Sequence, residues 1–487
     1  MKITSTLFLC LLVTCTSLSA KTPFSKKLPP KNAATTYLDA SFDTYDTLQK
    51  QIWSHPELGF QETFSSALHQ SHLLENGFAV EAGVAGMPTA YVATYGHGFP
   101  VIGILAEFDA LPGLSQDTVP YRKPLVEGGN GHACGHNVFG VGSVAGAVAI
   151  KRWLETNLVA GTVKVFGTPA EEGGGGKVYM VREGLFEGVD VVLDWHPGSG
   201  NLVSVGSGTA IRMIDYTFHG VPAHAASSPD KGRSALDGVE AFNFMVNLLR
   251  EHIPISSRIH YVIVNGGEAP NVVPDYAKVS YYIRSPKRDI LEELTKWVNQ
   301  AAEGAATGTQ TLVSSELVAG FYELLGNRTL QELVQRNLER VGGVVYDERE
   351  NEFARHIVAG LNLSDTILRQ VAAVQPLREE RPSFGGGSTD VGDVSWNVPT
   401  VSFNTAVFIP GSAGHSWQNV ASSGTTIGTK GLLNAARVFA LTAIDLYSNT
   451  SLVNSAKDEF YKRRGADFRY APLLGDRAPA LDYRVKK

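Results

Sequence analysis

The sequence predicts an α/β protein with a mostly parallel central sheet, interrupted by an inserted α+β unit. Three observations carry this reading. From residue 90 to 193, short apolar runs alternate with helical stretches, as in a parallel sheet whose strands are joined by crossover helices. From 211 to 318 the order becomes β-α-β-β-α-β, the ferredoxin-like arrangement. Beyond 325 helices return with one further strand, so the first pattern resumes after the interruption. A length of 487 residues is enough for two or three domains.

Residues 1–20 read as a secretory signal: Lys2 precedes an apolar stretch from Leu7 to Val13, and small residues follow through Ala20. The expectation is an exported protein, periplasmic or secreted. Lipid attachment at Cys15 fits less well, because Thr14 is larger than the residue usual before a lipidated cysteine. The main domain is expected over 21–206 and 323–487, with the insert over 207–322. A polar, Pro/Lys-rich lead-in is expected at 21–40. Helices follow at 45–54 and 63–76, the second stopped by Gly77. Strands are expected at 90–95 and 101–105, a helix rich in small residues at 138–157, and a strand at 162–166. A short helix at 180–183 and a strand at 189–193 complete the first part. In the insert, strands are expected at 211–218, 258–265, 277–283 and 309–318, with helices at 235–251 and 290–306. The last part offers a strand at 400–403 and a long helix at 429–447. The charged, aromatic tail from 457 carries no period that assigns it, and no internal repeat is present.

The net charge of −6 gives no basic footprint for nucleic acid. An apolar content of 43% with 18% charged residues is that of a globular chain. The apolar run near the start is too short to span a bilayer, and no later stretch approaches that length, so no stable membrane insertion is expected. Two of the three cysteines, Cys10 and Cys15, fall in the leader. Cys134 is then a lone thiol without a disulfide partner, and stability must come from core burial.

Cys134 lies in Gly131-His132-Ala133-Cys134-Gly135-His136-Asn137. An isolated cysteine is more often inert and buried. One with histidines on both sides among small residues suits metal or nucleophile chemistry. Further polar clusters are expected in loops at the carboxyl ends of strands, where open α/β sheets bind ligands. They are Glu107 and Asp109 in Ala106-Glu107-Phe108-Asp109, Glu171-Glu172 before four glycines, and His196 in Asp194-Trp195-His196-Pro197. The Cys134 loop is expected in the same position, and a late His415 adds another candidate. A Glu-Glu pair before glycines is, taken alone, usually a solvated loop. If one of these carboxylates binds a metal, however, its neighbour is held beside the ion, where a general base is needed. Cys134, His136, Glu172, His196 and His415 are more ligands than a simple three-ligand zinc site takes. They suit two metals sharing a bridge, for which the thiolate is a candidate.

Six stretches then carry a resemblance. They are His55-Pro56-Glu57-Leu58-Gly59, Asp109-Ala110-Leu111-Pro112, His132-Ala133-Cys134-Gly135-His136, Pro169-Ala170-Glu171-Glu172-Gly173-Gly174-Gly175, Gly220-Val221-Pro222-Ala223-His224-Ala225-Ala226 and Asn271-Val272-Val273-Pro274-Asp275. In this order, across about 45–450, the chain resembles the amidohydrolase branch of the M20 metallopeptidases. The resemblance implies a zinc-peptidase-like catalytic domain with an inserted lid or dimerisation domain, and two divalent metal ions, Zn or Mn. It implies metal ligation by Cys134, His136, Glu172, His196 and His415, with Asp109 beside the ligands and off the metal. It implies Glu171 as general base and His224 as the stabiliser of the oxyanion, acting within the chain or across a homodimer. Asn271 and Arg284 match positions that contact a substrate carboxylate. Asn137 departs from the Asp common in the auxin-conjugate type, and the run Gly387-Ser388-Thr389-Asp390-Val391-Gly392-Asp393 resembles the p-aminobenzoyl-glutamate hydrolase B type. The expected activity is hydrolysis of an N-acyl or N-aroyl amino acid, or a small dipeptide, with a free carboxylate. Two alternatives stand beside it: a non-catalytic binding protein on the same fold, and a metal-independent hydrolase using Cys134 with His136 or His132 as base.

Overall fold

The computed structural model describes residues 32–380 and 387–485. The expected leader at 1–20 lies outside the described residues. Eleven strands are present among them: β1 Ala79–Ala82, β2 Tyr91–His97, β3 Val101–Ala106, β4 Gly161–Gly167, β5 Val191–Gly198, β6 Leu202–Val203, β7 Ala210–His219, β8 Arg258–Asn265, β9 Tyr276–Ser285, β10 Leu312–Phe321 and β11 Thr400–Ala406. They form two sheets. The seven-stranded sheet has the order β1-β2-β4-β3-β5-β11-β6, and the four-stranded sheet β10-β7-β9-β8.

In the large sheet the four central strands β4, β3, β5 and β11 are parallel, while β1, β2 and β6 join antiparallel at the edges. The central strands are apolar along nearly their whole length because both faces are covered. The helix His136–Asn157 shows why: packed between the sheet and the helix Thr426–Ser448, it is buried from His136 through Ile150. Its small residues permit that approach, since a Cβ on Gly146 would sit 3.0 Å from the Phe439 ring.

The expected lead-in needs correction. Asn32–Ala40 is a helix, and Ala34 and Leu38 are buried in the main core. These two apolar residues are one turn apart, a helical signal that the surrounding Lys and Pro residues mask. Strand β5 runs to Gly198, beyond the expected end at 193, because its register with β11 continues through Thr405–Pro197 and Ala406–Gly198. The helix expected at 180–183 begins earlier and spans Gly176–Arg182, started by Gly175 at φ 71°.

The second sheet carries the helices Ala235–Leu249 and Arg288–Thr309, giving the expected β-α-β-β-α-β order, and all its strands are antiparallel. It has its own apolar core around Phe218, Phe242, Tyr281 and Val298. A third cluster joins the two sheets: Ile211, Met213 and Phe321 pack with Phe166 of β4 and Tyr179 of the helix Gly176–Arg182. The tail that had no assignable pattern forms the helix Thr450–Arg464 and then an irregular segment across the flank, with Leu474 in that joint.

Candidate active site

Parallel pairing aligns the carboxyl ends of β3, β4, β5 and β11 at one edge, and the polar clusters gather there. Glu107 and Asp109 follow β3. Glu171 and Glu172 follow β4 in a tight turn, made by positive φ at Ala170 (57°) and Gly173 (124°). Asp194 and His196 stand within the last part of β5, so His196 is a strand residue and does not sit in the expected loop. Cys134 also departs from its expected place after a strand: it precedes the helix His136–Asn157, separated from it by Gly135 in the left-handed region. His415, at φ 53°, comes from the loop beyond β11.

These elements bring all five expected ligands together. The donor atoms of Cys134, His136 and His196 lie within 4.8 Å of one another, as do those of Cys134, Glu172 and His415. Cys134 belongs to both triads. Its Sγ is 3.3 Å from His196 Nε2, and Glu172 Oε1 is 3.3 Å from His415 Nε2. The rings are aimed from behind. His136 Nδ1 meets Asp109 Oδ1 at 2.9 Å and the Asp109 carbonyl at 3.0 Å, which turns Nε2 inward. The Pro197 carbonyl holds His196 Nδ1 at 2.8 Å. Asp109 also accepts the Glu172 N–H at 2.9 Å, linking two ligand loops through one carboxylate.

The donor set fits metal ions. His136 Nε2, Glu172 Oε1 and Asp194 Oδ1 are buried and make no hydrogen bond outside the site: the first faces Glu107 Oε2 at 3.1 Å and the second His415 Nε2 at 3.3 Å. Such atoms are costly unless something coordinates them. Sulfur, imidazole and carboxylate together suit zinc and similar borderline ions. Burial, then the Glu172 carboxylate, raises the Cys134 thiol well above its ordinary range. Metal-free nucleophilic cysteines need the opposite shift, so this environment speaks against the thiol-hydrolase alternative.

Behind the ligands lies a buried ionic set. Glu107 Oε2 approaches His136 Nε2 at 3.1 Å, while Oε1 is 2.6 Å from Lys177 Nζ. Lys177 pairs with Asp390 Oδ1, also at 2.6 Å, and its backbone N–H donates to Oδ2 at 2.9 Å. All three side chains are almost fully buried. No motif assigned a role to Lys177 or Asp390, because 213 residues separate them. Glu171 forms a third such compact group with Glu107 and His136, whose donor atoms also lie within 4.8 Å of one another. Burial, followed by the Glu107 and Glu172 carboxylates, raises the Glu171 carboxyl well above its usual range. Asp194 is raised to about 8 by burial, then by Glu107.

A cavity of about 700 Å³ opens on Cys134, Glu171, Glu172 and His196, and Arg284 on β9 lines it, donating to Ser388 Oγ at 2.9 Å. The other expected residues of the second unit are elsewhere. His224 is exposed on the loop after β7, accepts the Ala226 and Ser227 N–H groups at 3.2 Å, and bridges to Val272. Asn271 is exposed beside it, its carbonyl accepting the Ala225 N–H at 3.0 Å. Neither lines the cavity within this chain.

Comparison with known proteins places the chain in a family. Residues 103–444 match the model of peptidase family M20/M25/M40. The chain is 38% identical to the B-type subunit of p-aminobenzoyl-glutamate hydrolase from Escherichia coli (strain K12), covering 91% of this chain and 97% of that one. It is 30% identical to the Xaa-Arg dipeptidase of Mus musculus, covering 88% and 92%. In fold it matches a Bacillus subtilis dinuclear metal-binding peptidase of the M20 family, with a TM-score of 0.57 at 18% identity, covering 84% of this chain and 99% of that one. The strand-end donors, the interrupted sheet and these likenesses converge: the chain belongs to the M20/M25/M40 peptidase family and is a hydrolase of that family.

Proposed function

We propose that this hydrolase holds two divalent metal ions, zinc or manganese, and cleaves the amide bond of an N-acyl or N-aroyl amino acid, or of a small dipeptide, that carries a free carboxylate. The observation that carries the reading is Cys134, common to two triads of metal-type donor atoms that lie within 4.8 Å of one another. Cys134, His136, Glu172, His196 and His415 would hold the ions. When bound, the ions supply Lewis-acid chemistry, which favours ionisation of a water and polarises the scissile carbonyl.

The remaining work falls to the chain. Glu171, adjacent to the ligand Glu172, accepts the proton of the attacking water. Burial and neighbouring carboxylates raise its affinity for that proton, which suits it to deliver the proton to the leaving nitrogen. Arg284 takes the free carboxylate with its planar guanidinium. His224 stabilises the oxyanion, either after closure of the second unit as a lid or from a second copy. Action from a second copy has support in the apolar exposure of Val262 and Val264 on the edge strand β8, and of Phe244 and Leu248 on the neighbouring helix. The names of the relatives favour aroyl-glutamate amides or dipeptides as substrates. Export through the leader remains part of the proposal, resting on residues 1–20 of the sequence.

The test is metal analysis of the purified protein together with amine release from a panel of N-acyl amino acids. The expectation is two ions per chain and turnover abolished by a chelator. Full turnover in a metal-free preparation would overturn the reading.

A further inference from the structure

The segment from Gly465 to Val485 ties the two sheets together at the mouth of the site. The Arg477 guanidinium donates to the Leu317 carbonyl and, at 2.7 Å, to the Val318 carbonyl, both on β10. Arg182, at the end of the helix after the glutamate turn, holds the Arg477 carbonyl at 2.8 Å. Gln61 Nε2 donates to the Leu481 carbonyl at 2.7 Å. Tyr483 packs edge-on against Phe60, with ring centroids 5.8 Å apart. Its place depends on Gly59, where a Cβ would collide with the tyrosine oxygen.

This seating delivers Arg484 to the cavity. Its Nη2 donates to the Glu172 carbonyl at 2.7 Å, and its guanidinium lies 5.1 Å from the centre of the Tyr483 ring. Arg284 enters the same cavity from β9. Among the described residues neither guanidinium has a carboxylate partner, although the same cavity is also lined by Glu107, Glu171, Glu172 and Asp194, together with histidines and apolar side chains. An arginine anchored through one donor, with others left over, is preorganised to receive an anion bidentately.

We propose that Arg484 is a specificity-determining residue. With Arg284 it reads two separate anionic groups on one substrate, so the enzyme prefers amides bearing a carboxylate beyond the one at the α-carbon. This rests on the amidohydrolase reading above. A neutral group in that place would strand the guanidinium in a half-buried cavity, which is the source of the discrimination.

The experiment compares kcat/KM for two matched pairs, using the zinc-loaded full chain. One pair is N-benzoyl-glutamate and N-benzoyl-glutamine; the other is 4-carboxybenzoyl-alanine and 4-carbamoylbenzoyl-alanine. In at least one pair the anion is expected to be favoured about 10- to 100-fold, the range of a charge-assisted hydrogen bond. Arg484→Met should bring that ratio close to one, mainly through KM, and Arg484→Lys should keep part of it. Calorimetric titration of the same ligands into Glu171→Gln, with and without Arg484→Met, reads the same preference without turnover. If the parent enzyme hydrolyses none of the four amides, the activity reading fails, and the titration still decides the role of Arg484. No preference in either pair, by rate or by binding, would overturn the proposal. So would an Arg484→Met loss equal for anionic and neutral partners, since that marks a merely structural arginine.

Discussion

The two sheets differ in how finished their chemistry is. At the carboxyl edge of the seven-stranded sheet, Cys134, His136, Glu172, His196 and His415 already converge, and Asp109 and the Pro197 carbonyl fix two of the rings. On the four-stranded sheet, His224 and Asn271 are exposed on two adjoining loops that do not line the cavity. Ligands that must meet one ion are best held by rigid, crossing hydrogen bonds. A group needed only in the transition state can arrive by motion or from a second copy, at the cost of a closing step. On the proposed reading, the contrast separates metal binding, assigned to the first sheet, from turnover, which would also draw on the second.

The largest expected effect lies in the finished half. Glu171→Gln should retain metal and lower kcat by about 10²–10⁴, the usual contribution of a positioned acid–base group. If metal content falls as far as the rate, Glu171 is a ligand and the roles of the two glutamates are exchanged.

Next is the support of that half. Lys177→Met leaves Glu107 and Asp390 buried without their cation. Breaking such a set should cost about 3–5 kcal/mol in unfolding free energy. Urea denaturation checks this, and a loss under about 1 kcal/mol would mean that the carboxylates take up protons and need no lysine.

The unfinished half has its own test. His224→Ala should leave metal content as it is and lower kcat about 10²–10³ with little change in KM, as for loss of an oxyanion donor. Near-normal kcat would reduce His224 to a loop cap for Ala226 and Ser227. Activity regained on mixing His224→Ala and Glu171→Gln chains would assign the histidine to a neighbouring copy and exclude a lid acting within one chain.

The smallest effect concerns the seam between the halves. Asp393 accepts the Tyr322 N–H at 2.9 Å and the Tyr470 hydroxyl at 2.8 Å, and burial raises its carboxyl to about 7. A folded-state value above the unfolded one means that the folded protein holds the proton more tightly. This stability is complete below about pH 4 and is lost as the pH rises through 7, at about 1.4 kcal/mol per pH unit. Asp393→Asn should flatten the pH 5 to 7 slope of the urea midpoint, and an unchanged slope would place the titration elsewhere.

Legibility in the sequence divides along physical lines. Apart from the short edge strands β1 and β6, the strands of both sheets were readable because period and β-branched content are local, and the candidate donors stood out because most lie in short motifs. Lys177 and Asp390 were not: their pairing spans 213 residues, and each alone reads as an ordinary surface charge. Arg484 was hidden for a similar reason, in a tail without period whose place is set by Gly59, Gln61 and Arg182 far upstream. Ala34 and Leu38 carried a helical signal that a charged neighbourhood obscured. His224 stood in a recognisable motif, yet no motif states the distance between two loops.

The most direct test of the division is anomalous diffraction at the zinc edge from crystals of the zinc-loaded full chain. Two peaks are expected at the carboxyl edge of the large sheet, with Cys134 Sγ nearest to both and every ligand outside β7–β10. A single peak, or a ligand contributed by the second sheet, would contradict that division.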